Sequence, residues 1–143
     1  VVNPSSSDSG NDNMYWYDIN DATGALTTHG VVHYGVGDGP IAIHAVGDLL
    51  FIANQSSTDI TTYRLNSSGS GTLVSVDNGN FVSVDDANPH SFADVSLSAN
   101  ESALYVAASN SLAVFLLNKT TGVLTPVPGS PFSGFNSPGT IKK

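Results

Sequence analysis

Prolines stand 49 residues apart in this 143-residue chain, at Pro40, Pro89 and Pro138, closing the segments GDGP, DANP and FNSP. A second landmark recurs beside them. YDINDATGALT (17–27), YRLNSSGSGTLV (63–74) and FLLNKTTGVLT (115–125) each run from an aromatic residue through two positions to Asn, then through a glycine-containing turn to Leu. Tyr17, Tyr63 and Phe115 are 46 and 52 residues apart, and LLFIAN (49–54) matches LYVAAS (104–109). Self-similarity at a fixed period restricts the chain to repeat architectures, in which each unit buries its apolar surface against its neighbours.

Within a unit the pattern is that of strands. Apolar runs of four to seven residues alternate with Gly, Asn, Ser and Asp clusters, and helical periodicity is almost absent. After the proline comes an inner strand (IAIHAV, SFADVSL), a tight turn and a second strand (LLFIAN, ALYVAA). A polar turn leads to a third (ITTYRL, LAVFLL), and a glycine turn to an outer fourth. Four-stranded antiparallel units at this period are β-propeller blades; the alternative is a β-sandwich with chance similarity between its strands. The proline-rich stretch TPVPGSPFSGFNSP (125–138) is expected to be an outer strand and the crossing to the next blade. A proline on a free edge leaves no ladder bond unmade.

ALYVAASNSLAVFLLNKTTGVLTPVPGSPFSG (103–134) resembles the repeat of lactonase-type seven-bladed propellers and of the YVTN-repeat surface proteins. That group includes 6-phosphogluconolactonase and carboxymuconate cyclase. The resemblance extends over nearly the whole chain, strongest at 88–138. It implies a propeller whose channel holds anionic substrates with cationic side chains.

The expected fold is thus all-β, about two and two-thirds blades of a propeller. Residues 1–38 form an incomplete blade, 39–87 and 88–137 one blade each, and 138–143 the start of another. VVN (1–3) aligns with IAN (52–54) in the second strand. On this reading the partners are the remaining blades of a larger ring or other copies of the chain.

Charge excludes several functions. The net charge is −8, with four basic residues, Arg64, Lys119, Lys142 and Lys143. They cannot neutralise a run of phosphates, so no nucleic-acid partner is expected. No run reaches the roughly 18 apolar residues of a membrane span. With no cysteine there is no disulfide, thiolate metal site or thiol nucleophile. GxSxG, HExxH, phosphate-loop and EF-hand patterns are absent, and GVGDG (35–39) reads as a crossing between strands. No cofactor and no metal site are expected.

His90 is the leading ligand-binding candidate. NPHSFADVS resembles the lactonase segment in which a His follows Pro at the start of an inner strand, a place that faces the mouth of the channel. Asp85, Asp86 and Asp94 lie close in sequence, and a His–carboxylate group there would orient a water or hold a cation. The repeat places Ile41 and Gly139 at the positions matching His90. His44, inside IAIHAV, is a second candidate for the core or the channel wall. His29 and His33 share an outer strand but lack a third ligand. A satisfied strand-end His is the alternative for His90.

Four sequons, at Asn54, Asn66, Asn100 and Asn118, fall at expected hairpin turns, where glycans can attach. With charged residues at only 11%, they point to a secreted protein. The function expected is a non-catalytic binding or scaffold propeller, taking glycans or an anionic small molecule. The rival is a lactone hydrolase or cycloisomerase with His90 in the channel.

Overall fold

The computed structural model of the chain describes residues 2–3, 13–33, 39–65, 73–75, 82–83, 92–108 and 110–135. Every regular element among them is a strand, and the strands form three antiparallel sheets. The first sheet holds β1 (Val2–Asn3), β2 (Asn13–Ile19) and β3 (Leu26–His33). The second runs β4 (Pro40–Val46), β5 (Leu49–Asn54), β6 (Asp59–Leu65) and β7 (Leu73–Ser75), with β8 (Val82–Ser83) also on β6. The third repeats this as β9 (Phe92–Leu97), β10 (Ala103–Ala108), β11 (Ser111–Leu117) and β12 (Leu124–Pro126), with β13 (Phe132–Ser133) also on β11. The chain is an all-β propeller segment, as the repeat requires.

The repeated Asn is explained by the turn it closes. Asn20 Oδ1 accepts from the N–H groups of Ala22 and Thr23, and Asn118 Oδ1 accepts from those of Thr120 and Thr121. These are Asx turns. Each ends on a glycine with positive φ, Gly24 at 70° and Gly122 at 80°, whose N–H donates to the backbone carbonyl of the same Asn. Thr23 and Thr121 accept from the next residue but one in the same way.

The proline-rich stretch is an outer strand in two pieces. β12 pairs with Phe115–Leu117 and β13 with Ser111 and Leu112, both on β11. Between them the chain leaves the ladder in a turn with Pro128 second and Gly129 third. Gly129 has φ 84°, and Ser130 N–H donates to Val127 C=O at 3.0 Å. This is a type II turn with its preferred residues. The excursion would orphan Val114, but Val114 N–H donates to Ser130 Oγ at 2.9 Å and its carbonyl accepts from Val127 N–H.

Register makes the units equivalent and corrects two matches read from sequence. Leu50 pairs with Tyr63 and Leu104 with Phe115, so Leu50 corresponds to Leu104. The letter-by-letter match of LLFIAN with LYVAAS is therefore off by one residue. Pro40 pairs with Asn54, and Phe92 holds the same place on Ala108. On the inner strand, register thus recurs at 52 residues where the prolines recur at 49, and Ile41 matches Ala93 rather than His90. In the first sheet Val2 pairs with Met14 and Asn3 with Asn13, as Ala53 and Asn54 pair with Ile60 and Asp59. The alignment of VVN with IAN is correct.

Alternate residues on each strand serve different neighbours. Leu49, Phe51, Ala53 and Ile60 of the second sheet pack with Val95, Leu97, Leu104, Val106, Phe115, Leu117 and Leu124 of the third. The opposite face of the second sheet gives Ile52, Tyr63 and Leu50 to a smaller cluster with Met14 and Trp16 of the first. β5 is buried almost throughout, because sheets lie on both sides of it.

Candidate functional site

The end of the second sheet where β4 begins is built from buried polar groups. Gly39 C=O accepts from Gln55 N–H at 2.8 Å, tying the start of the inner strand to the turn between β5 and β6. Gly39 has φ 70°, and a Cβ there would lie 2.6 Å from Ser56 Oγ. Just inside, Asn54 Nδ2 donates to Asp59 Oδ1 at 2.7 Å and to Thr61 Oγ1 at 2.8 Å, all three residues being buried. This corrects the expectation for Asn54. Its sequon lies at the end of a strand rather than in an exposed turn, and its amide nitrogen is already engaged in the interior.

The remaining candidates divide. His90, Asp85, Asp86 and the sequon at Asn66 lie outside the described residues. His44 pairs in register with Phe51, half-buried on the face that Ala42 and Val46 present to the core between the second and third sheets. Asp94 is half-buried at the start of β9, where its Oδ1 accepts from Val95 N–H at 2.9 Å. His29 falls at the register shift of the first sheet, between the pairs Tyr17–Thr28 and Trp16–Gly30. Among the described residues, no three His, Asp or Glu come together as a metal site would require. No described helix is long and apolar enough to cross a membrane. Asn100 and Asn118 are exposed in turns, Asn100 Oδ1 accepting from Ser98 Oγ and from Ser102.

Positive charge gathers at the opposite end of the sheets. Arg64 Nη1 binds Asp48 in the turn between β4 and β5. Its Nη2 donates to the carbonyls of Lys119 and Thr120, at 3.2 and 3.0 Å, in the third sheet. Lys119 Nζ donates to Glu101 at 2.9 Å. Arg64 thus ties one sheet to the next, a link that its place in the sequence does not show.

Between the first and second sheets lies a cleft of about 590 Å³, lined by apolar side chains that include Trp16, Ile43, Ala45 and Leu50. Asp18 and Asp48 are also among its lining residues. Its composition suits an apolar occupant.

A family model described as "Lactonase, 7-bladed beta-propeller" matches residues 5–138. Among solved structures, a putative 6-phosphogluconolactonase from Bacteroides uniformis is 16% identical with a TM-score of 0.72, covering 93% of this chain and 40% of its own. A protein from Lactobacillus plantarum is 24% identical with a TM-score of 0.69, over 93% and 40%. The periplasmic gluconolactonase PpgL of Pseudomonas aeruginosa is 18% identical with a TM-score of 0.68, over 92% and 36%. At these identities the likeness is one of fold. The chain spans two fifths or less of the length of the structures it matches. No curated protein matches the sequence.

Proposed function

The chain belongs to the lactonase family of seven-bladed β-propellers, and from that premise we propose that its blades act as a non-catalytic binding scaffold in a secreted propeller. The observation that carries this reading is the disposition of positive charge. An anionic lactone needs cations in its site, and the basic side chains among the described residues, Arg64 and Lys119, are held in ion pairs at the turn end of the sheets. The polar groups at the other end, Asn54, Asp59 and Thr61, are buried against one another and offer no cation. The exposed sequons at Asn100 and Asn118 support secretion.

The second reading is a lactone hydrolase or cycloisomerase that uses His90 in the channel. It draws on the names of the Bacteroides uniformis and Pseudomonas aeruginosa structures. Acid release from gluconolactone and 6-phosphogluconolactone, followed by pH-stat, separates the two. On the scaffold reading the protein gives no rate above spontaneous hydrolysis. A rate that His90→Gln removes, with the melting temperature unchanged, would replace it with the enzyme reading.

A further inference from the structure

We propose that Arg64 guards the sequon at Asn118. While the second and third sheets are joined, its guanidinium holds the turn that an N-glycosyltransferase must draw out. Asn100, on the neighbouring turn of the third sheet, stays open to modification in the folded protein. The proposal deepens the secretion reading, on which its meaning for native protein rests. Its test uses purified protein and stands apart from that reading.

Sugar is added at the Asn side-chain nitrogen, and the enzyme must take the Asn and the hydroxyl residue two places on into its own site. A bond forms between Nδ2 and the anomeric carbon of a nucleotide sugar, while the bond from that carbon to the diphosphate breaks. The diphosphate leaves with the bonding pair, and one Nδ2 proton passes to the enzyme's base or to solvent. Asn54 meets this requirement least, since its Nδ2 donates to Asp59 and Thr61 in the interior. Asn100 and Asn118 are turned the other way. In both, Oδ1 accepts within the turn, so Nδ2 lies on the far side of an exposed carboxamide.

The two turns differ in what holds them. Around Asn100 the bonds run within one hairpin: Ser98 Oγ and the N–H and Oγ of Ser102 all donate to Asn100 Oδ1. Its middle residue, Glu101, has φ 56°, a conformation that costs a residue with a Cβ and is relieved when the turn is drawn out. Around Asn118, Arg64 Nη2 reaches across from the second sheet to the carbonyls of Lys119 and Thr120, the other two residues of the sequon. Nη1 of the same guanidinium is bound to Asp48, which fixes the fork to its own sheet. An Asn118 sequon drawn into an enzyme must break bonds across the joint; an Asn100 sequon breaks those of its own hairpin. The Glu101–Lys119 ion pair joins the two turns within the third sheet, but it is exposed at both ends and adds little.

Arg64 is not needed to shape the turn it holds. At Asn20, the equivalent position in the first sheet, the turn closes with its own groups. Asn20 N–H donates to Ala25 C=O at 2.9 Å, as Asn118 N–H does to Val123 C=O at 3.0 Å. Gly24 N–H donates to Asn20 C=O as Gly122 N–H does to Asn118 C=O. The contacts of Arg64 are therefore an addition made by a neighbouring sheet, and they last only while the joint is closed. A planar fork that meets a carboxylate and two carbonyls at once is a task for arginine rather than lysine.

The test supplies a soluble bacterial N-glycosyltransferase and UDP-glucose to the folded, unglycosylated chain, and follows each sequon by peptide mass mapping. Synthetic peptides 94–106 and 112–126 give the rates of the two sequons without a fold. Relative to these, Asn100 is expected to be modified faster than Asn118 in the protein, with Asn54 unmodified. Arg64→Met should raise the rate at Asn118 by about fivefold, the factor that one net hydrogen bond corresponds to, and leave Asn100 unchanged. Arg64→Lys should fall between. Asn54 reports unfolding: if Arg64→Met loosens the whole chain, Asn54 takes sugar too. Asp48→Asn then decides, because it releases Arg64 from its own sheet without altering the Asn118 turn, and Asn118 should rise with Asn54 silent. The proposal is overturned if Asn118 and Asn100 react alike in the parent relative to their peptides. It is equally overturned if neither Arg64→Met nor Asp48→Asn raises Asn118 without Asn54. Native protein free of glycan would count against secretion and leave these rates as they are.

Discussion

Gly39 shows how much one position can carry. Its positive φ favours glycine, its carbonyl holds the turn after β5, and Ser56 Oγ occupies the place of a side chain. Gly39→Ala is expected to cost about 1–3 kcal/mol, from left-handed strain plus the displaced Ser56. Urea unfolding reads it, and a midpoint equal to that of the parent would show that the turn relaxes freely. The proline beside this glycine was legible as a landmark; the glycine's role was not, because it depends on a residue 17 positions later. Asn54 failed for a related reason. Three letters make a sequon, but burial is set by Asp59 and Thr61, whose hydrogen bonds claim its amide. Asn20 and Asn118, by contrast, act within their own turns, and so their recurrence could be read directly.

Among the elements, the divided outer strand is the one the sequence described best. Prolines at 126, 128 and 131 exclude a helix and an inner strand, and the edge of a sheet is where their missing donors cost least. What the letters could not show is that β12 and β13 lie on the same strand, with Ser130 filling the break. Ser130→Ala leaves Val114 N–H without that acceptor and is expected to cost about 1 kcal/mol. Ser130→Thr keeps the hydroxyl and should retain most of the stability, so the pair of melting curves separates a lost hydrogen bond from a disturbed turn. The second strands of the units were harder to align. A one-residue slip carries every side chain to the other face, and apolar runs such as LLFIAN and LYVAAS look alike in either register. Pairing with Tyr63 and Phe115, not the runs themselves, decides it.

At the scale of the molecule, the all-β propeller was legible because its period is written three times, whereas the site depends on residues brought together from distant turns. His90, Asp85 and Asp86 remain candidates on sequence alone; Arg64 was identified, but not its hydrogen bonds to Lys119 and Thr120. Secretion makes its own prediction. Native protein from a eukaryotic secretory route should lose mass on glycosidase treatment, with sugar at Asn100 or Asn118 and none at the buried Asn54. Glycan recovered on Asn54 would contradict the fold around it. The second sheet, whose two faces pack against different neighbours, has a broader consequence. Its apolar residues belong to the joints with its neighbours rather than to an interior of its own. Stability in such a stack therefore follows the number of joints, not the number of sheets. An open row of sheets has one joint fewer than it has members, while a closed circle has as many, so closure adds a whole core without adding a single strand.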